Sequence, residues 1–140
     1  MRILMIHVDH FKCSITEKGR SSVIEEFSQR ETEISEGLLV LSSVEKSDEA
    51  NPLKVAEKAS DEIGSHARSL KVASIVLHPF AHLFAELSSP QAAVEILRRT
   101  EEQLKKEGFH VLRTPFGWFN ALELRAKGHP LSRVARRVEP

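Results

Sequence analysis

Two periods organise the apolar positions of this chain. Ile3, Leu4, Met5, Ile6 and Val8 follow one another almost without interruption, so Arg2–Val8 predicts a strand buried on both faces. Phe11, Cys13 and Ile15 then alternate with Lys12, Ser14 and Thr16. That period of two predicts a second strand, Phe11–Thr16, with one wet face. Leu38–Val44 and Val72–Leu77 are further apolar runs, the first opened by Gly37 and the second stopped by Pro79. Phe109–Arg113 and Trp118–Ala126 complete the strand set, with a turn at Pro115–Gly117 between them.

The helical period appears twice. Val55, Ala59, Ile63 and Ala67 recur at helical spacing behind Asn51-Pro52, a side-chain cap followed by a proline whose missing N–H is no loss in a first turn. Lys71 closes that helix. Ser89-Pro90 repeats the same start, Ala93, Ile96, Leu97 and Leu104 line the inner face, and Gly108 is the C-terminal stop. Between these signals, Glu45–Pro52 reads as a polar connection. Glu17–Glu36, with only Val23, Ile24 and Phe27 scattered through it, reads as a loop holding at most one helical turn. Gly128–Pro130 is a turn, and the tail after it is basic and amphipathic.

The predicted order is β-β-β-α-β-α-β-β: a hairpin-like pair, then two strand–helix–strand units. The fold class is α/β, bordering on α+β: a mixed sheet with two long helices packed on it. A length of 140 residues fits a single domain over 1–140. No internal repeat is visible. Lys+Arg and Asp+Glu are both 20, so the chain as a whole has no pull toward a polyanion. Contact with RNA must come from a local patch, for which Arg125, Lys127, Arg133, Arg136 and Arg137 are the candidates. Cys13 is the single cysteine, which forbids an intrachain disulfide and suits a reducing cytoplasm. No run approaches the ~20 apolar residues of a membrane span, and Met1–Val8 is too short for a signal h-region.

Three short blocks carry candidate chemistry. His78-Pro79-Phe80-Ala81-His82-Leu83 lies just past the end of an apolar strand, where ligands gather in α/β sheets. Proline there forces irregular backbone whose N–H and C=O groups can meet a small polar ligand. His82 could act as a base or a polar wall; equally it could be a half-buried histidine satisfying a loop carbonyl. Thr114-Pro115-Phe116-Gly117-Trp118-Phe119-Asn120 follows another strand end. Its aromatics could form a wall against which a base stacks, or simply fill the core. Lys127-Gly128-His129-Pro130 is a turn that could hold RNA backbone, although most such turns are only turns. No Walker loop, G-x-S-x-G elbow or H-E-x-x-H helix is present. His7 and His10, three apart on a strand, fall on opposite faces, so a metal pair there is not expected.

Together these blocks resemble the N-terminal editing domain of archaeal-type threonyl-tRNA synthetases, in family order and over nearly the whole chain. Met1–His7, Ser43-Val44-Glu45-Lys46, Asn51-Pro52 and the His129-Pro130-Leu131 run agree with it as well; Glu17–Glu36 contributes little. The resemblance implies a D-aminoacyl-tRNA deacylase-like fold, a homodimer, and a cytoplasmic hydrolase that removes L-serine from tRNA(Thr) while sparing threonine. It implies no metal, no cofactor, no membrane and no DNA. It assigns His82, Asn120, Phe116 and Gly117 to the catalytic set. Pro79, Phe80, Ala81, Val44, Glu45, Pro115 and Phe119 fall to substrate binding, and Lys127, His129 and Arg133 to RNA contact. Water attack on the ester would be assisted by backbone groups and the terminal 2′-hydroxyl. The chain stops at Pro140 with no synthetase core after it, so the resemblance makes it one domain of a longer synthetase-type protein or one of the group's separate editing polypeptides.

Two positions depart from the family pattern. Asn120 stands where a lysine is frequent, and Arg133 where a glutamate is frequent in an expected helix after His-Pro-Leu. If those positions formed an essential acid/base pair, this chain would be inactive; if backbone and RNA do the chemistry, it would work. A free-standing D-aminoacyl-tRNA deacylase is the first alternative, opposed by the absence of a Gly-Pro dipeptide. A tRNA-binding or dimerisation module without activity is the second.

Overall fold

The computed structural model describes residues 1–83 and 86–140. Its elements are β1 (Arg2–Lys18), β2 (Glu31–Ile34), β3 (Gly37–Ser43), α1 (Pro52–Ser69), β4 (Ser74–Pro79), α2 (Pro90–Lys106), β5 (His110–Arg113), β6 (Trp118–Ala126) and β7 (Arg133–Arg137), with 3-10 turns at Lys46–Ala50 and Ala81–Leu83. Both helices start as their sequences dictate. Asn51 Oδ1 accepts from Lys54 N at 3.1 Å and Ser89 Oγ from Ala92 N at 3.2 Å, each followed by the proline. Such caps are worth about 1 kcal/mol each.

The two predicted N-terminal strands are one strand, and there is no hairpin. β1 runs unbroken for 17 residues. Its first half pairs with β3 on one side and β7 on the other; its second half pairs with β2 and β6, all antiparallel. The pairing with β6 shifts register between Val8 and His10, leaving Asp9 as an extra residue. That bulge exchanges the faces of the strand. Before it, Ile3 and Met5 pack with the helices; after it, Phe11, Cys13 and Ile15 pack in the opposite layer. The alternation count that puts His7 and His10 on opposite faces therefore fails across the bulge. The two rings go to different partners, His7 to His129 and His10 to Glu33.

β3, β4 and β5 are parallel neighbours, so the sheet is mixed, in the order β2-β1-β3-β4-β5 with β6 and β7 on β1. Its central strands are buried on both faces. Leu38, Val40, Ile75 and Leu77 meet Val55, Ala59, Ile63, Ile96, Leu97 and Leu104 of the helices. Leu39, Leu41 and Val76 meet Phe11, Cys13 and Ile15, the far half of β1 folded across them. Each buried Leu, Ile or Phe side chain is worth about 1.5–3 kcal/mol of apolar transfer.

β2 lies within the stretch read as a loop, and β7 within the basic tail, where the family pattern suggested a helix. Glu31-Thr32-Glu33-Ile34 and Arg133–Arg137 lie at the margins of the sheet with little apolar surface. Their strand character comes from backbone bonds to β1. The first residue is also tied in: the Met1 ammonium donates to Asp48 Oδ1 and Val138 O, both at 2.7 Å, where Asp48 is fully buried. No described helix is long and apolar enough to cross a membrane.

Candidate functional site

β3, β4 and β5 all point their C-terminal ends the same way, and at those ends the structure opens a cavity of about 570 Å³, a size ordinary for small-ligand sites. Leu87 and Ser88, just before α2, and Pro90, Ala93 and Leu97, within it, line one side of it. Ser42–Val44 comes from the end of β3, His78–His82 from the end of β4 and just beyond it, and Thr114–Asn120 from the β5–β6 connection and the first residues of β6. The last two blocks, 36 residues apart, touch directly, with His78 Nδ1 2.8 Å from Thr114 Oγ1. Phe80 N donates to Ser42 O at 2.8 Å, and Ser43 Oγ donates to Phe80 O. The Pro79–Phe80 bend is thus fixed to the end of β3 by one main-chain bond and one bond from a serine hydroxyl.

The two histidines of the first block divide the roles the sequence left open for one. His78 is the buried, satisfied ring; burial pushes its pKa down to about 4, so it stays neutral. His82 lines the cavity and is exposed, its ring edge-on to Phe80 with centroids 5.4 Å apart. Among the described residues it bonds no loop carbonyl.

The aromatics of the second block also divide. Phe116 packs partly into the helix-side core and Trp118 into the opposite layer, edge-on to Phe27 at 4.9 Å. Phe119 stays 54% exposed at the cavity. All three line the space, and Phe116 and Trp118 are core margin as well. Asn120 lines it too, its Nδ2 making only a long 3.4 Å contact to Trp118 O.

Of the residues assigned to substrate, Pro79, Phe80, Ala81, Val44, Pro115 and Phe119 line the cavity. Glu45 is not among them. It is buried, and its carboxylate turns to Arg2 Nε at 2.8 Å and Arg137 at 3.5 Å, joining β1, β7 and the first 3-10 turn. The RNA-contact trio lies elsewhere. Lys127 N donates to His7 O at 2.8 Å, and His7 pairs with Leu38 at the opposite end of β3 from Ser43. Lys127 Nζ is held by Asp9 at 2.6 Å and Glu36 at 3.0 Å, bonds that raise its pKa. His129 Nε2 lies 2.9 Å from His7 Nδ1. These groups fasten the turn to β1. Arg133 is exposed on β7 opposite Ile6, whereas Asn120 stands opposite Ile15 of the same strand. Nine residue steps of β1, at most about 30 Å along the strand, separate the two positions they face, and no described contact joins them, so within one chain they do not form a pair.

The sequence reading missed the segment that completes the wall. Gly19, Arg20 and Ser21 line the cavity from within the supposed loop. Gly19 N donates to Gly117 O at 2.9 Å, Glu25 N to Phe116 O at 3.0 Å, and Trp118 Nε1 to Glu25 O at 2.7 Å. Gly117 needs its missing side chain: φ is +94°, and a Cβ would stand 2.6 Å from Val23 O. Gly19, punctuating a polar run, was the one signal of this in the sequence.

Residues 1–138 match the family described as the archaea-specific editing domain of threonyl-tRNA synthetase. The chain belongs to that family. It is 44% identical over its whole length to the threonine–tRNA ligase of Methanopyrus kandleri and 43% to that of Thermococcus onnurineus. It spans only 22% of either relative's length. The solved structure of the c-Myc DNA Unwinding Element Binding Protein superposes with a TM-score of 0.68 over 100% of both chains, at 12% identity. A likeness at that identity shows the fold alone, and the fold is D-aminoacyl-tRNA deacylase-like.

Proposed function

We propose that the cavity hydrolyses the ester of L-seryl-tRNA(Thr) and refuses threonyl-tRNA(Thr). The observation that carries this reading is the closure of the His78–His82 and Thr114–Asn120 bends on one another, sealed by His78 and Thr114. Serine differs from threonine by one missing methyl, worth only about 1–3 kcal/mol in a pocket built for threonine. A second pocket must therefore exclude by size, which requires walls that do not give. Here they are main chain pinned by main chain: Phe80 to Ser42, and Gly117 to Gly19.

Water attacks the ester carbonyl, and the oxyanion needs preorganised N–H donors. Phe116 N is already committed to Glu25 at 2.9 Å, which leaves the Gly117 N–H as the donor of that turn. The 2′-hydroxyl of the terminal adenosine assists the water, His82 meets the seryl group, and Phe119 stacks against the adenine. Asn120 shapes the wall and binds water as a neutral group, so no charged acid/base pair is required. As in the family resemblance, the working form is a homodimer acting on the aminoacylated 3′ end in the cytoplasm.

The test is deacylation by purified protein of L-seryl-, L-threonyl- and D-aminoacyl-tRNA. Serine release well above buffer, with threonine retained, is expected. Preference for the D-substrates would make the protein a chirality-checking deacylase. Saturable tRNA binding without any hydrolysis would make it a binding module.

A further inference from the structure

The described lining of the cavity is mostly uncharged. Among its described lining residues there is no aspartate or glutamate, and Arg20 is the sole lysine or arginine. Arg20 is exposed, and no described carboxylate lies within ion-pairing distance of it, unlike Lys127, Arg113 or Arg137, each of which is held by an acid. Its position is nevertheless fixed. The preceding residue, Gly19, is bonded to Gly117 O, and a Cβ there would come within 2.5 Å of that oxygen. Five residues on, Glu25 is fastened to Phe116 through both its backbone N–H and its carboxylate. Val23 N caps onto Ser21 Oγ at 3.2 Å inside the segment. Arg20 is thus a guanidinium with no acid partner among the described residues, carried on a backbone clamped on either side to the cavity's own wall.

We infer that Arg20 binds the 5′-phosphate of the terminal nucleotide of the substrate, at the rim of the cavity. The assignment rests on the hydrolase reading above and adds a residue to it. An aminoacyl ester carries an α-ammonium at one end, which an arginine deep in the pocket would repel. At its other end, one ribose away, it carries a phosphodiester. An exposed guanidinium at the mouth suits that end, because its fork of N–H donors matches phosphate oxygens. Cavity walls without carboxylates leave its field uncompensated, so it also draws the polyanion to an otherwise neutral chain.

The experiment compares wild type, Arg20→Ala and Arg20→Lys on two substrates: full seryl-tRNA(Thr), and seryl-adenosine without a 5′-phosphate. With tRNA, Arg20→Ala should raise KM about tenfold or more, the loss of one charge-assisted contact. Its log(kcat/KM) should fall less steeply with log salt, by about 0.7, and Arg20→Lys should recover most of the loss. With seryl-adenosine the three proteins should be alike. Equal losses on both substrates, or no loss on tRNA, overturn the assignment while leaving the hydrolase reading intact. A wild type inert toward both substrates overturns the hydrolase reading itself.

Discussion

The Glu25 carboxylate accepts the backbone N–H of Phe116 at 2.9 Å, and the Glu25 backbone N–H donates to Phe116 O at 3.0 Å. One residue of a polar segment thereby holds both polar groups of a wall residue 91 positions away. The same carboxylate accepts from Arg113, itself bound by Glu101 at 2.8 Å. Glu25→Ala frees the Phe116 N–H and leaves Arg113 with one acid, at a cost of about 1–3 kcal/mol. A wall released in this way should admit the extra methyl. The ratio of kcat/KM for seryl- over threonyl-tRNA is expected to fall, and an unchanged ratio would show that Phe116 is no part of the size filter.

Gly117 and Gly108 make a controlled pair. Both have positive φ, +94° and +95°, yet a Cβ at Gly117 meets Val23 O at 2.6 Å while one at Gly108 meets nothing within 4 Å. Gly108→Ala bears only the backbone conformation, about 1 kcal/mol. Gly117→Ala must also displace the Gly19–Glu25 segment, so it should cost at least 2–3 kcal/mol in denaturant unfolding and lower activity. Equal costs would mean that the segment yields freely.

His78 makes stability depend on pH. Its pKa is about 4 in the folded protein, through burial, against about 6.5 in the unfolded chain. Above pH 6.5 the ring is neutral in both states and contributes no pH dependence. Below it the unfolded chain takes up a proton that the folded protein refuses, so stability falls as pH drops from 6.5 toward 4. The full loss is about 3 kcal/mol. His7 and His66, both also lowered chiefly by burial, act in the same direction. The comparison with His78→Gln is therefore the informative one: thermal unfolding of that variant should be the less acid-sensitive, and parallel curves would remove His78 from the account.

Asn120 and Arg133 should behave differently on substitution. Asn120 lines the cavity; Arg133 is exposed on β7, roughly nine strand residues away. If main chain and substrate hydroxyl carry the reaction, Asn120→Ala should retain serine release within about tenfold, the scale of one neutral hydrogen bond. Arg133→Ala should leave kcat unchanged. Loss of a thousandfold or more at Asn120 would make it a chemical participant.

Local signals placed most of the scaffold. The caps Asn51-Pro52 and Ser89-Pro90, the doubly buried run Leu38–Val44 and the wall-forming prolines Pro79 and Pro115 lie where the residues put them, whereas the run Val72–Leu77 forms its strand two residues later, as Ser74–Pro79, with Ala73 exposed and Pro79 inside it. Each is written in steric or hydrogen-bonding terms that act over a few residues. β2 and β7 left no such mark, because a marginal strand facing water needs no apolar alternation. The His78–His82 bend was legible as a candidate cavity wall, but the Arg20 segment was not, since its wall role rests on bonds to Gly117 and Phe116.

By itself, then, the chain determined which stretches are helix and buried strand, and which two bends carry irregular backbone. Only the tertiary structure decided that the first two strands are one, turned over at the Asp9 bulge. It alone closed His78 on Thr114, sent Lys127 and Arg133 to the far end, and folded Gly19–Glu25 against the wall. The physical reason is the range of the forces. Periodicity, caps and proline geometry are settled among near neighbours, whereas pairing register and cavity walls depend on partners dozens of residues away, which become neighbours only when the sheet forms.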